Sequence, residues 1–180
     1  MKQIVFLGIK HSGKTTQGRL LAAGLQWPFR DSDELLAARY RELYGENWTP
    51  REIMKRCGAD FFRHLEAEVV ATQADAADAV LALGGGVPVN EFLRTEQLKR
   101  LGYLIYLQVD PEVAFARIAA GGLPPFLESD DPHRKFIEQY RERSVRYREI
   151  ADWCFPIAGE GPAETVHEAI MAGLKERGIL

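Results

Sequence analysis

Short apolar runs alternate with longer amphipathic segments along the chain. The apolar runs cover residues 3–7, 27–30, 79–83, 103–109 and 153–157. Each run has the length and the nearly continuous hydrophobicity of a buried strand. The segments between these runs carry apolar residues at helical spacing. This alternation predicts an α/β fold in which a mostly parallel sheet has helices on both of its faces.

Caps and glycines mark the predicted helices. The first opens at residue 16, and the others cover about 34–43, 50–58, 59–75, 91–101, 110–121, 131–151 and 162–177. Thr49, Pro50 and Glu52 give the clearest start signal, because a threonine N-cap followed three residues later by glutamate forms a capping box. Residues 121–132 are the one long loop-like stretch, and neither a repeat nor a linker divides the chain. The sequence therefore predicts a single domain over residues 1–180.

A phosphate-binding motif follows the first apolar run. Residues 8–15 read Gly-Ile-Lys-His-Ser-Gly-Lys-Thr, which is the P-loop pattern G-x-x-x-x-G-K-[ST]. A strand before such a loop and a helix after it aim backbone N–H groups and the positive end of a helix dipole at one point. Gly8 and Gly13 permit backbone angles and a close approach that a Cβ would block. Lys14 can reach the phosphates of a nucleoside triphosphate, and the Thr15 hydroxyl can ligate Mg²⁺.

Composition and charge exclude several classes of protein. With 180 residues, 46% hydrophobic and 27% charged, the chain suits one globular domain with a real core. The net charge of −3 shows no excess of basic residues of the kind that binds nucleic acid. No apolar stretch approaches the roughly 20 residues of a membrane span. Cys57 and Cys154 lack metal-ligand spacing and are expected to be reduced thiols. A cytoplasmic protein without nucleic-acid or membrane partners is therefore expected.

Two carboxylates, Asp31 and Asp33, come at the end of the second predicted strand. Ligands bind at the carboxyl edge of a parallel sheet, and residues two apart in a strand face the same way. One carboxylate can therefore hold Mg²⁺ through water while the other accepts a hydrogen bond from a substrate hydroxyl. Taken alone, Asp-Ser-Asp is also common as a turn or a helix cap.

Three further groups are weak signals when each is considered alone. Arg63 and Glu66 share one helix face, a spacing that usually indicates a surface salt bridge. Three glycines at 84–86 follow a buried strand, where their backbone can approach a ligand closely or simply turn. Arg143 and Tyr147 lie four apart on an arginine-rich helix, which by itself indicates a solvated face.

Taken together and in this order, the motifs resemble those of shikimate kinases. The resemblance rests on Asp-Ser-Asp at 31–33, on G-x-x-x-F-R-x-x-E at 58–66, on the three glycines, and on Glu-Arg-Ser-Val-Arg-Tyr-Arg-Glu-Ile-Ala-Asp at 142–152. It covers about residues 3–175. It implies a three-layer P-loop kinase fold with a five-stranded parallel sheet and a mobile lid at about 121–132. The implied reaction transfers the γ-phosphoryl group of ATP to the 3-hydroxyl of shikimate.

The resemblance also implies a role for each matching residue. ATP is expected to bind to Gly8, Ser12, Gly13, Lys14, Thr15, Thr16 and Arg117, with the arginine stacked on adenine. Mg²⁺ is expected at Thr15 and Asp31, with the carboxylate acting through water. The catalytic residues are expected to be Lys14 and Asp33, which orients or deprotonates the attacking hydroxyl. The small-molecule substrate is expected to bind to Asp33, Arg63, Gly84, Gly85, Gly86 and Arg143, because two guanidinium groups can clamp a carboxylate bidentately.

The chain departs from the family pattern in its lid and in its P-loop. Pro124 stands where the family has a lid arginine that reaches the transferring phosphate, a point where a cation stabilises the transition state. Lys10 and His11 occupy P-loop positions where small residues are common. Three hypotheses follow: Arg134 or Lys135 replaces the arginine, the substrate differs from shikimate, or the chain is a slow kinase.

Two other functions therefore remain open for this sequence. The first is phosphorylation of another small carboxylated polyol, such as a sugar acid, because several small P-loop kinases share this architecture. The second is a nucleotide-binding regulatory module that has lost catalysis, an interpretation that the lid proline favours and the intact P-loop disfavours. Because the resembling family is largely monomeric, a monomer is expected.

Overall fold

The apolar runs form one parallel sheet. A computed structural model describes residues 3–76, 78–123, 127, 129–157, 159 and 161–180. In this part of the chain the strands are β1 (Ile4–Leu7), β2 (Phe29–Asp31), β3 (Val80–Ala82), β4 (Tyr103–Val109) and β5 (Trp153–Ile157). Their order is β2-β3-β1-β4-β5, and every neighbouring pair is parallel. The predicted α/β fold with a five-stranded parallel sheet is confirmed.

Helices cover both faces of the sheet. They are α1 (Lys14–Leu25), α2 (Ser32–Tyr44), α3 (Pro50–Cys57), α4 (Ala59–Ala71), α5 (Thr95–Lys99), α6 (Pro111–Ala120), α7 (Pro132–Ile150) and α8 (Ala163–Glu176). The predicted capping box of α3 is present, since the Thr49 backbone N–H donates to Glu52 Oε2 at 2.8 Å and the Glu52 N–H donates back to Thr49 Oγ1. Within the described ranges, no helix combines the length and the hydrophobicity that crossing a bilayer requires.

Alternate residues of the central strand pack on opposite sides of the sheet. Val5 and Leu7 join a core with α4, α5 and α7, whereas Ile4 and Phe6 pack against α1 and α8. All four side chains are fully buried. Because burial of apolar surface stabilises by about 25 cal/mol per Å², this two-sided packing fixes the register of the sheet. The same register determines which loops meet at its carboxyl edge.

One predicted helix, residues 91–101, is too long because a side chain holds its first residues in a turn. A 3₁₀ turn covers Val87–Val89, and α5 begins only at Thr95. Between them, Asn90 Oδ1 accepts a hydrogen bond from the Phe92 N–H at 2.9 Å. Asn90 Nδ2 in turn donates to the backbone oxygen of Arg63 on α4 at 2.9 Å. The conformation of this segment is therefore determined by the hydrogen bond between Asn90 and α4 rather than by the helical spacing of its apolar residues.

The predicted position of Asp33 at the end of a strand is also wrong. β2 ends at Asp31, and α2 begins at Ser32 rather than at residue 34. The reason is a helix cap, because Asp31 Oδ1 accepts a hydrogen bond from the Asp33 N–H at 3.0 Å. Asp33 therefore lies in the first turn of α2. Both carboxylates nevertheless line the same cavity.

Candidate active site

The carboxyl ends of β1, β2 and β3 open onto one cavity. Its volume is about 1250 Å³. This exceeds the roughly 300–1,000 Å³ of a typical small-molecule pocket, so that the cavity has room for the end of a nucleotide and a second small ligand. Eleven of the predicted site residues line it: Gly13, Lys14, Thr15, Thr16, Asp31, Asp33, Arg63, Gly84, Gly85, Gly86 and Arg143.

The P-loop has the conformation that its glycines allow. Gly8 has φ +152°, and a Cβ there would stand 2.7 Å from the hydroxyl oxygen of Ser12, which is fully buried. Gly13 has φ +93° and precedes the first residue of α1. Lys14 Nζ donates to the backbone oxygen of Ile9 at 2.9 Å, so that its side chain folds back over the loop. The loop and the helix N-terminus thus face the cavity together.

Burial lowers the pKa of Lys14 to about 8, although the negative charges of Asp33 and Asp31 oppose this decrease. A group with this pKa is only partly protonated just above neutral pH. A bound phosphate would restore the charged form, because an adjacent negative charge favours an ammonium group. An anion that binds in the cavity is therefore stabilised by its interaction with the protonated Lys14.

A hydroxyl and a carboxylate meet beside the P-loop. Thr15 Oγ1 donates to Asp31 Oδ2 at 3.0 Å, while the other oxygen of that carboxylate caps α2. These are the hard oxygen donors that Mg²⁺ prefers. No cluster of three or more histidine, cysteine or acidic side chains able to hold a metal occurs among the described residues. The donor set fits an ion that takes its other ligands from phosphates and water.

Asp33 is the carboxylate nearest to the glycine-rich turn. A Cβ at Gly84 would stand 2.6 Å from Asp33 Oδ1. Burial raises the pKa of Asp33, and the charges of Asp31 and Glu66 raise it further against the opposing charge of Lys14. A carboxylate with a raised pKa accepts a proton more readily than a free one, as a general base must.

Arg63 is held by a buried carboxylate. Its Nη1 lies 2.6 Å from Glu66 Oε2, which also accepts a hydrogen bond from Asn90 Nδ2 at 2.8 Å. Glu66 is only 4% exposed, so that the interpretation of this pair as a surface salt bridge is wrong. The pair forms part of the cavity wall instead, where Glu66 holds the guanidinium group of Arg63 in place. Helical spacing identified the pair, but it carries no information on whether a helix face meets solvent or a cavity.

The arginine-rich helix α7 contributes one arginine to the cavity and another to its support. Arg143 lines the cavity, whereas Arg146 donates to the backbone oxygen of Pro88 at 3.1 Å and to Thr95 Oγ1 at 2.9 Å. Tyr147 is fully buried, and its hydroxyl donates to the backbone oxygen of Gly85 at 2.6 Å. Burial raises the pKa of Tyr147 to about 12 despite the neighbouring Arg143, so that it remains a neutral donor at physiological pH.

The remaining predicted residues lie around the cavity rather than on its wall. Gly8 and Ser12 shape the P-loop from inside. Arg117 flanks the loop, with its Nη1 3.4 Å from the backbone oxygen of His11. The lid position 124 lies outside the described residues, as do 125, 126 and 128. Neither of the two cations considered as replacements, at positions 134 and 135, lines the cavity that the described residues form.

Several residues of the wall were not expected from the sequence. They are Lys10, His11, Pro50, Arg51, Met54, Lys55, Phe62, Leu83 and Gln139, besides Glu66. Most of them come from α3 and from the two P-loop positions that depart from the family pattern. A capping box predicted α3 correctly, but no local signal indicates which face of that helix turns toward the site.

The cavity brings the P-loop, Asp33 and two arginines, Arg63 and Arg143, into one space. Together with the parallel sheet and the P-loop between β1 and α1, this arrangement defines a P-loop kinase, in which a nucleotide and an acceptor molecule share one cavity. A family model described as shikimate kinase matches residues 10–173. The chain belongs to the shikimate kinase family.

Relatives from different bacteria and a solved structure agree with this assignment. The chain is 33% identical over 178 residues to the shikimate kinase of Caldanaerobacter subterraneus subsp. tengcongensis, and the aligned region covers 99% of each chain. It is 36% identical over 171 residues to that of Paracidovorax citrulli, covering 93% of this chain and 90% of the other. The structure of the shikimate kinase from Acinetobacter baumannii in complex with shikimate matches with a TM-score of 0.84 at 28% identity, covering 98% of this chain and 94% of that chain.

Proposed function

We propose that this protein transfers the γ-phosphoryl group of ATP to the 3-hydroxyl of shikimate, a step of aromatic amino acid biosynthesis that yields shikimate 3-phosphate and ADP. One observation carries the proposal. Asp33 lines the same cavity as the P-loop and the two arginines, and the charges of Lys14 and of Glu66, the partner of Arg63, both act on it. A kinase of a small acid requires a phosphate site, a base and a carboxylate site within one cavity.

The acceptor is held by charge and oriented by geometry. Arg63 and Arg143 bind the carboxylate of shikimate, since guanidinium groups hold a carboxylate in a fixed orientation. Asp33 accepts the hydrogen bond of the attacking hydroxyl and takes up its proton as the new O–P bond forms. Phosphoryl transfer depends mainly on positioning and on charge stabilisation, so that no nucleophilic side chain is needed.

ATP occupies the P-loop side of the cavity. Backbone N–H groups of the loop and Lys14 bind its phosphates, and the guanidinium of Arg117, which flanks the loop, stacks on adenine. Thr15 and Asp31 are the residues that would hold Mg²⁺. When bound, this ion neutralises charge on the β- and γ-phosphate oxygens. We further propose that the protein works as a cytoplasmic monomer on a small-molecule substrate.

A coupled ADP-release assay with Mg-ATP tests this proposal. Shikimate is compared with quinate and gluconate, which also carry a carboxylate and several hydroxyls. We expect turnover of shikimate at about 1–100 s⁻¹, the usual range of kinases. Faster turnover of gluconate would instead identify a sugar-acid kinase. ATP binding without turnover of any of the three acids would favour a regulatory module.

The carboxylate clamp gives the first mutational prediction. Arg63→Ala and Arg143→Ala should each raise the KM for shikimate at least about tenfold, because hydrogen bonds between charged groups contribute roughly 1.5–3 kcal/mol. The KM for ATP should change little. As a control for Arg143→Ala, Arg141→Ala removes an exposed arginine of the same helix, α7, and should leave the KM for shikimate and the KM for ATP unchanged. An unchanged KM for shikimate in both clamp variants would contradict the assignment.

A further inference from the structure

Three basic side chains of the cavity wall have no hydrogen-bond or ion-pair partner among the described residues. They are Lys10, Arg51 and Lys55, and all three are exposed. Other cations of the wall are already engaged, since Lys14 donates to a backbone oxygen and Arg63 pairs with Glu66. An unpartnered cation beside a phosphate site is available to bind negative charge that arrives with a ligand.

Lys10 differs from the other two because it belongs to the P-loop, where the loop meets the three glycines. A Cβ built on Gly85 would stand 3.4 Å from the backbone nitrogen of Lys10. The charge of Lys10 lowers the pKa of Lys14 on the nucleotide side and the pKa of Asp33 on the acceptor side. Lys10 therefore lies on the wall of the cavity that also holds Lys14 and Asp33, and its charge acts on both of them.

We infer that Lys10 is a catalytic residue whose ammonium group stabilises the transferring phosphoryl group, in a chain whose lid segment has Pro124 instead of a cation. This inference rests on the proposed function. A bond forms between the acceptor oxygen and the γ-phosphorus while the bond from that phosphorus to the β–γ bridging oxygen breaks. The hydroxyl proton passes to Asp33, and the bridging oxygen keeps its electron pair in ADP. Lys10 exchanges no proton; it offsets charge on the non-bridging oxygens.

The two cations just after the lid segment are weaker candidates for this role. The side chain of Arg134 is 76% exposed, and its Nε lies 3.9 Å from Oε1 of Glu138 on the same helix. Neither Arg134 nor Lys135 lines the cavity that the described residues form. Lys10, in contrast, lies on the cavity wall. Arg134 and Lys135 belong to α7, which would have to move to bring either of them to the cavity.

Kinetics of matched variants test the inference. Lys10→Gln should lower kcat by about 10²–10³-fold, the usual effect of removing one group that stabilises transition-state charge, whereas the KM values for ATP and shikimate should change less. Lys10→Arg should restore most of kcat. Lys99→Gln removes an exposed cation outside the cavity and should leave kcat nearly unchanged. An equal loss of kcat in Lys99→Gln, or a loss only in Arg134→Ala or Lys135→Ala, would overturn the role of Lys10.

A binding measurement separates this inference from the proposed function, because it requires no acceptor. Mg-ADP with aluminium fluoride imitates the transferring phosphoryl group, and isothermal titration gives its affinity beside that of Mg-ADP alone. Lys10→Gln should weaken binding of the fluoride complex at least about tenfold and leave Mg-ADP binding nearly unchanged. Equal effects on both ligands would refute the inference. Absence of shikimate turnover in the unaltered protein would refute the proposed function and leave this measurement decisive for Lys10.

Discussion

Two of the three glycines at 84–86 make room for functional side chains. A Cβ on Gly84 would press on the carboxylate of Asp33, and a Cβ on Gly86 would come within 3.0 Å of the guanidinium carbon of Arg63. Both contacts involve the ends of side chains, which can move without unfolding the protein. We therefore expect Gly84→Ala to lower kcat and Gly86→Ala to raise the KM for shikimate, with thermal melting of both variants close to that of the unaltered protein.

Steady-state kinetics and a thermal melt of each variant check this prediction. The two variants are controls for each other, because each inserts one methyl group into the same turn. Equal changes of kcat and KM in both would contradict it, since a general distortion of the turn would then explain the loss. A large fall in melting temperature would contradict it as well.

The half-buried charge of Lys14 is a cost to stability. Its pKa falls from 10.5 to about 8 on folding, so that between these pH values the unfolded chain binds more protons than the folded one. The free energy of unfolding gains a contribution from Lys14 that rises with pH across this window. Lys14→Met should lack this rise, and at pH 7 it should be more stable than the unaltered protein by roughly 1–3 kcal/mol while phosphoryl transfer is lost.

Urea unfolding at several pH values without nucleotide checks the prediction on Lys14. The quantity to compare is the difference in unfolding free energy between Lys14→Met and the unaltered protein, because other groups titrate equally in both. Lys55→Met is the matched lysine-to-methionine control. A difference that stays constant from pH 7 to about pH 10 would contradict the linkage argument.

Residue spacing predicted the members of the site better than it predicted their geometry. Asp31 and Asp33 were expected to face the cavity as strand residues two apart, yet one ends a strand and the other lies in the first turn of a helix. Both still line the cavity, because the hydrogen bond from the Asp33 N–H to the Asp31 carboxylate fixes the position of one residue relative to the other. Glu66 was recognised only as a partner of Arg63, because its burial depends on Asn90, a residue 24 positions away in the chain.

At the scale of elements, burial explains only some of the boundaries that could be predicted. β4 has its predicted bounds, Tyr103–Val109, since a strand covered by helices leaves a nearly continuous apolar run in the sequence. β5 also has its predicted bounds, Trp153–Ile157, although it is an edge strand whose residues are alternately half-buried and exposed. The segment between β3 and α5 could not be predicted in the same way. Its turn depends on hydrogen bonds from Asn90 to α4, and a local pattern does not contain such contacts.

Helix α7 stabilises the glycine-rich turn through one tyrosine. The Tyr147 hydroxyl donates to the backbone oxygen of Gly85 at 2.6 Å. Tyr147→Phe leaves this oxygen without its partner and should destabilise the protein by about 1–2 kcal/mol. It should also raise the KM for ATP, because Gly85 packs against the P-loop backbone.

A second tyrosine of the same helix is the control for Tyr147→Phe. The Tyr140 hydroxyl donates to the backbone oxygen of Val109 at 2.6 Å, a position that does not line the cavity. Tyr140→Phe should therefore cause a similar loss in unfolding free energy without a change in KM. Chemical denaturation and steady-state kinetics of the two variants check the prediction. A KM for ATP that changes equally in both, or in neither, would contradict it.

The charge of the whole molecule is opposite in sign to that of its cavity. The chain has a net charge of −3, yet among the described residues six lysines and arginines line the cavity against three acidic side chains. A cleft lined by one sign of charge concentrates ligands of the opposite sign, and this effect falls as salt screens it. The KM values for ATP and shikimate should therefore rise with ionic strength, while kcat should change little because interactions between a bound substrate and the cavity wall are screened less.

The salt dependence can be assigned to particular residues, because Arg51 and Lys55 contribute charge to the cavity wall without a partner among the described residues. The double variant Arg51→Gln, Lys55→Gln should raise the KM for shikimate about two- to fivefold at low salt and flatten its dependence on salt. Arg41→Gln combined with Lys99→Gln removes the same charge from exposed positions outside the cavity and should leave that dependence unchanged. Measuring KM between about 0.02 and 0.5 M salt separates the two cases, since the Debye length falls over this range from roughly 20 Å to a few ångströms. Equal slopes in the two double variants would mean that net charge, rather than the placement of cations in the cavity, controls substrate capture.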